Sequence, residues 1–190
     1  MKIKNLSKSF GDKIIFDNYS LTIEDNKTTF IMGESGCGKT TLLRILAGLD
    51  SDFSGEISSI ENMSYVFQEP RLFPSLTVEK NISIVKENTQ MSVNEILKIL
   101  ELENEAKSYP ETLSGGMKMR IALARALYYD GDTFIMDEPF SALDDATKER
   151  ILPKIFELLK NKTVIIVSHN IEEANKYADS IINISSPLKN

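Results

Sequence analysis

The chain has 190 residues, a formal net charge of −6 and a pI near 5.0, with 42% hydrophobic and 26% charged residues. This composition fits one globular domain able to bury roughly 70% of its unfolded surface, and the acidic balance argues against a nucleic-acid partner, whose backbone needs concentrated Lys and Arg. Cys37 is the single cysteine, which excludes an intrachain disulfide and a cysteine zinc cluster, and no apolar run approaches the roughly 18 residues that span a bilayer.

In chain order, "KIKNLSKSF", "KIIFDN" and "YSLTIE" alternate apolar and polar residues, with turn chemistry at Gly11-Asp12 and Asp25-Asn26, and read as antiparallel strands. Thr28 to Met32 is a continuous apolar, β-branched run suited to a strand buried on both faces. A helix is expected from Lys39 to Ala47, with Gly48 as its stop. A helical insert is expected from about Leu76 to Tyr109, and within it Ser92-x-x-Glu95 forms a capping box ahead of Val93, Ile96, Leu97 and Leu100 on one face. "SGGMKMRIALARALYY" reads as another helix. "TFIMD", "TVIIVS" and "SIINI" read as buried strands separated by a long helix to Lys160 and the short helix "IEEANKYA". Pro153 should kink or split the long helix, because it cannot donate to the Glu149 carbonyl. The alternation predicts an α/β fold with a mainly parallel sheet, a small antiparallel β edge and a helical insert.

"GESGCGKT", Gly33 to Thr40, stands between the strand "TTFIM" and a helix. Glycines at Gly33, Gly36 and Gly38 let consecutive backbone amides turn inward around an anion. Lys39 places a charge on the outer phosphates, and the Thr40 hydroxyl is a Mg²⁺ ligand type. Cys37 occupies a free position of this loop, and no catalytic role is expected for it. At the end of "TFIMD", Asp137 can hold Mg²⁺ through water, and Glu138 beside it can orient or deprotonate an attacking water. His169, the only histidine, ends the strand "TVIIVS", where a γ-phosphate can be read. "LSGGM" places Ser114, Gly115 and Gly116 at a helix start, a second anion-binding pattern in a chain too small to fold one cradle onto the other.

With these residues in place the sequence resembles the ATP-binding cassette (ABC) family, the nucleotide-binding subunits of ABC transporters, from about residue 2 to residue 185. Phe10 matches the aromatic that stacks on adenine. Gly33, Glu34, Ser35, Gly36, Cys37, Gly38, Lys39, Thr40 and Thr41 match the Walker A loop, and Gln68 in "YVFQEP" matches the Q-loop glutamine. "LSGGM" matches the signature, Asp137 and Glu138 match Walker B and its catalytic carboxylate, Ser141 to Asp144 match the D-loop, and His169 matches the switch histidine.

The resemblance implies a single ABC ATPase domain over 1–190, with a helical subdomain at about 76–128 and a trimmed β-subdomain within 1–27 and 51–67. It implies ATP and Mg²⁺ as ligands, with Thr40, Gln68 and Asp137 as the metal's partners. Glu138, His169, Gln68 and Lys39 would be the catalytic set. A second cassette, a copy of this chain or a close paralogue, would pair head to tail with it, so that Ser114, Gly115 and Gly116 of one cap the nucleotide of the other. Integral membrane permease subunits would hold the chain on the inner face of the membrane, in keeping with a cytoplasmic start, "MKIKNLSKSF", that lacks the apolar core of a secretory leader.

"FQEPRLFPSLTVEKNI" and Met117 are similar to the importer branch, in particular its nitrate, sulfonate and taurine type, with Glu69, Pro70, Leu72 and Phe73 as a docking surface. The alternative is an ABC ATPase of a machine that moves no solute, in cell division, cluster assembly, translation or repair. Departures from the family pattern are the short link "DSDFSGEISSIENMSYVF", Met119 where a glutamine is usual, the absence of a glycine in "EDNKTTF", and an end soon after Ser185 that leaves no room for a regulatory domain.

Overall fold

The computed structural model describes residues 1–85 and 91–185. Two sheets organise it. A five-stranded, wholly parallel sheet has the order β5-β6-β7-β3-β8, with β3 Thr28–Met32, β5 Met63–Val66, β6 Thr133–Asp137, β7 Thr163–Val167 and β8 Ser180–Asn183. A three-stranded antiparallel sheet has the order β2-β1-β4, with β1 Lys2–Phe10, β2 Lys13–Thr22 and β4 Ser54–Ile57.

The continuous apolar runs have a direct physical reason. Strand side chains alternate between faces, so a strand covered on both sides needs apolar residues throughout. Phe30, Phe134, Met136, Val164 and Ile166 pack into a core on one face. Ile31, Ile135, Ile165 and Val167, their neighbours in sequence, pack into a second core on the other. Helix α1 (Lys39–Leu46) supplies Leu42, Leu43, Ile45 and Leu46 to the second core. Helices α2 (Val78–Ser83), α3 (Val93–Ile99), α4 (Gly115–Tyr129) and α5 (Asp145–Leu158) cover the first.

The short helices have the expected stops and starts. Ser92 and Glu95 form the reciprocal capping box at α3, and Ile96, Leu97 and Leu100 are buried. Gly48 (φ 67) follows α1, and Asn26 (φ 57) takes the left-handed turn ahead of β3 and donates its N–H to the Thr163 hydroxyl. The last helix, α6 (Ile171–Tyr177), is opened by the Asn170 side chain, which accepts from the N–H groups of Glu172 and Glu173.

Three features differ from the sequence expectations. The runs "KIIFDN" and "YSLTIE" join into the single strand β2, bent at Asn18 (φ 50), where the register with β1 shifts. The short link after α1 contains two strands that each join a different sheet: β4 extends the antiparallel sheet and β5 forms an edge of the parallel one. Pro153 does not split helix α5, which runs on to Leu158; Pro153 and Glu149 both face solvent, where water can satisfy the freed carbonyl. No helix among the described residues is long and apolar enough to cross a membrane.

Candidate active site

The carboxyl ends of β3, β6 and β7 converge on a cleft of about 340 Å³, at the edge of a parallel sheet where crossing connections leave a crevice. Phe10, Lys13, Ile15, Ser35, Gly36, Gly38, Lys39, Thr40, Thr41, Gln68, Asp137, Glu138, Val167 and His169 line it. Residues far apart in the chain thus meet in one place.

The loop after β3 has the conformation its glycines permit. Gly33, Gly36 and Gly38 have φ values of 150°, 78° and 104°, and a Cβ at Gly38 would lie 2.5 Å from Ile15 Cγ2. At Gly33 a Cβ would meet the Ile184 carbonyl oxygen at 2.2 Å. Only a bare backbone fits at these two positions. Lys39 is 7% exposed, and its ammonium donates to the carbonyls of Gly33 and Glu34, both at 2.8 Å. Cys37 is buried behind the loop with its sulfur 4.0 Å from the Lys39 ammonium, and neither it, Gly33 nor Glu34 lines the cleft.

Opposite the loop stand two carboxylates. Asp137 is 3% exposed; burial pushes its carboxyl above the ordinary range, against the pull of a Thr40 hydrogen bond and of the Lys39 and His169 charges. Its Oδ1 has no hydrogen-bond partner, an open lone pair beside a hydroxyl. Glu138 is also pushed up, by burial first and by Asp137, with His169 and Lys39 pulling it down. Glu138 Oε1 lies 2.9 Å from His169 Nε2, without the alignment of a hydrogen bond. The backbone at Glu138 is left-handed (φ 50), a conformation that costs a non-glycine residue about 1–2 kcal/mol. It is held by Glu138 N–H donating to the Val167 carbonyl, and by Ser141 N–H and Oγ donating to the Glu138 carbonyl.

Chemically, the cleft offers a nest of loop amides and an ammonium on one wall, and a hard-cation ligand set of hydroxyl and carboxylate on the other. The unpartnered Asp137 oxygen beside Thr40 fits Mg²⁺. Gln68 lines both this cleft and an adjoining one of about 240 Å³ that also contains Thr40 and Asp137. Phe10 is 54% exposed at the cleft mouth, with the Lys8 ammonium 4.7 Å from its ring centroid.

Ser114, Gly115 and Gly116 do not line the cleft. Ser114 caps α4, accepting from Met117 N–H, and Ser114 and Gly115 are exposed. Gly116 backs onto the chain, where a Cβ would meet the Ala142 carbonyl oxygen at 2.8 Å. Lys13 and Ile15 were absent from the sequence-based set. Lys13 was legible in principle, since the Gly11-Asp12 turn pairs it with Phe10 across the hairpin.

A P-loop at a β-strand's end, faced by paired carboxylates from another strand of the same parallel sheet, defines a nucleoside triphosphatase. Comparison with known proteins narrows this. Residues 16–141 match the family model described as ABC transporter. The aliphatic sulfonates import ATP-binding protein SsuB of a Bacillus cereus strain is 39% identical over 96% of this chain and 78% of its own length. SsuB 2 of Pseudomonas syringae pv. tomato is 36% identical over 98% of this chain and 82% of its own. The solved dimeric structure of MJ0796, a bacterial ABC transporter cassette, superposes with a TM-score of 0.83 at 33% identity, over 96% of this chain and 93% of that one. The same cassette has also been solved in a post-hydrolysis state with ADP and Pi, with a TM-score of 0.82. The chain therefore belongs to the ABC transporter family, as one of its ATP-hydrolysing cassettes.

Proposed function

We propose that this cassette powers an importer and hydrolyses ATP in a head-to-tail dimer with a second cassette. The carrying observation is the separation of two phosphate-recognising loops: the loop after β3 lines the cleft through Ser35, Gly36, Gly38, Lys39, Thr40 and Thr41, while Ser114 and Gly115 face solvent at the start of α4. A solvent-facing anion site with no cleft of its own is complete when it caps a nucleotide held by another copy. The dimeric cassette among the solved relatives supports that arrangement.

Within the site, the loop amides and Lys39 bind and orient the phosphates, and Phe10 offers an aromatic face to the base. Thr40, Asp137 and Gln68 would hold Mg²⁺, which supplies charge neutralisation on the transferred phosphoryl group. Glu138 accepts a proton from the attacking water, and His169 fixes the Glu138 carboxylate and meets the terminal phosphate. Positioning and electrostatics carry most of such a reaction.

The names of the sulfonate import relatives support import over the non-transport alternative. Permease subunits then hold the chain at the inner face of the membrane, with Glu69, Pro70, Leu72 and Phe73 beside Gln68 as the docking segment; Phe73 is 47% exposed. The solute is selected by those partners. The deciding experiment is a pull-down of the tagged chain from detergent-solubilised membranes. Recovery of a multi-span permease is expected, and recovery of ribosomes or DNA in its place overturns the reading.

A further inference from the structure

The position of His169 is not set by its own side chain, which is 58% exposed and faces Glu138 as its ionic contact. It is set by the backbone turn from Ser168 to Asn170. Within that turn the Ser168 hydroxyl accepts from Asn170 N–H at 3.0 Å and lies 3.4 Å from Glu173 Oε2, to which it donates. Ser168 is 4% exposed and Glu173 7%. The other Glu173 oxygen, Oε1, has no aligned hydrogen bond and lies 2.9 Å from the Lys148 ammonium. Lys148 belongs to the first turns of α5, the helix that Asp144 of the "SALD" segment caps through Thr147. An unbroken path thus runs from the cap of α5 through Lys148, Glu173 and Ser168 to His169 and Glu138.

A buried ion pair is a poor device for stability. Desolvation of both charges offsets most of their attraction, and an uncharged pair of similar volume often does as well. Around it, Asp145, Glu149, Glu172 and Lys176 line the same surface and are solvated; among these charged side chains Glu173 alone is buried, and Lys148 is half-buried, its side chain 16% exposed. What the pair does supply is direction, since a charged contact between α5 and α6 fixes the angle at which α6, and the turn ahead of it, leaves β7.

We propose that Lys148 and Glu173 are positioning residues for ATP hydrolysis, holding the turn that presents His169 to Glu138 in register with α5. The inference rests on the roles given above to His169 and Glu138. Neither Lys148 nor Glu173 lines the nucleotide cleft, so the expected signature is a loss of turnover at saturating ATP with nucleotide affinity retained.

The test uses the full chain and its variants Glu173→Gln, Lys148→Met, the two combined, His169→Ala, and His169→Ala combined with Glu173→Gln. Turnover at saturating ATP, affinity for a fluorescent ATP analogue and thermal midpoint are measured for each. Lys148→Met leaves a buried carboxylate uncompensated and is expected to lower the midpoint. The Lys148→Met, Glu173→Gln double variant removes both charges, and its midpoint is expected to return to within about 2 °C of the parent, because an uncharged replacement of the pair is nearly neutral. Its turnover is expected to stay about tenfold down, with affinity within about twofold, and Glu173→Gln is expected to add no loss on the His169→Ala background, as for residues acting through one another.

Recovery of parental turnover together with stability in the double variant would make the pair merely structural and overturn the proposal, as would an additive loss with His169→Ala. Parental turnover in His169→Ala alone would instead remove the role of His169, and the inference with it. The two failures are therefore distinguishable.

Discussion

Glu138 Oε1 and His169 Nε2 face each other at 2.9 Å across the ends of β6 and β7, two adjacent parallel strands whose partner positions are Asp137 and Val167. The pairing places a carboxylate and an imidazole at the mouth of the nucleotide cleft, just past the end of each strand. Glu138→Gln keeps the shape and removes the base. Hydrolysis is expected to fall by at least about 10²-fold while ATP binding persists, so that an ATP-bound dimer accumulates on size-exclusion chromatography. Parental turnover in this variant would take Glu138 out of its role.

Burial raises both site carboxyls, and the sign of the consequence follows. A carboxyl whose folded pKa lies above its unfolded value favours the protonated folded state. Its stabilising contribution is present below the ordinary carboxylate range and is lost as pH rises through the raised value. Asp137→Asn should therefore raise the thermal midpoint of the nucleotide-free protein near pH 7 by about 2–4 °C, equivalent to about 1 kcal/mol in a chain of this size. The gain should vanish below about pH 4. An unchanged or lowered midpoint at neutral pH counts against it.

The same shift acts on catalysis. Hydrolysis that needs ionised Glu138 has its acid limb above the ordinary glutamate range, so turnover at saturating ATP is expected to decline with falling pH earlier than an exposed glutamate would require. An acid limb at or below the ordinary range, measured in the ATP-saturated dimer, would contradict the burial argument.

Gly115 and Gly116 are adjacent, yet the structure separates their roles. Gly115 has open space where a Cβ would stand, whereas Gly116 meets the Ala142 carbonyl oxygen at 2.8 Å. Gly115→Ala should leave the isolated chain as stable as before, or more so by up to about 1 kcal/mol from helix propensity, and still depress hydrolysis if that face caps a partner's nucleotide. Gly116→Ala should destabilise the isolated chain by about 1–3 kcal/mol. Denaturant melts of both variants beside ATPase assays check the contrast, and full activity in Gly115→Ala would argue against the capping role.

A site completed by a second copy makes turnover depend on association. When the isolated chain is mostly monomeric, ATPase rate should rise more steeply than linearly with protein concentration. Strict proportionality from a chain shown by light scattering to be monomeric would rule out the dimer requirement.

Much of this was legible in the sequence for a physical reason. Strands β3, β6 and β7 are covered on both faces, so each is rich in apolar and β-branched residues, and the proposed catalytic residues Glu138 and His169 stand just past the ends of β6 and β7. The strands β4 and β5 were legible only as part of a β-subdomain expected within 51–67, not as members of two different sheets. Each has only four residues, and β4 is exposed along most of its length, so neither carries a strong period. Asn18, whose left-handed turn bends β2, read as the end of one strand, because its continuation into Tyr19 comes from the pairing with β1 rather than from its neighbours in sequence.

The sequence by itself determined the chemistry on offer: a glycine loop ending in Lys39 and Thr40, a carboxylate pair at Asp137 and Glu138, a single histidine at His169 and a second anion loop at Ser114 to Gly116. These are local signals, because conformational freedom, charge and hydrophobic run length belong to each segment. Which of them meet was decided only by the tertiary structure. Parallel strand order brings the ends of β3, β6 and β7 together, the hairpin swings Lys13 to the same cleft, and the Lys148–Glu173 contact ties α5 to α6 just past the turn at His169. The packing that leaves Ser114 and Gly115 facing solvent, away from that cleft, is likewise a property of the folded chain, since it depends on contacts between residues that no local pattern connects.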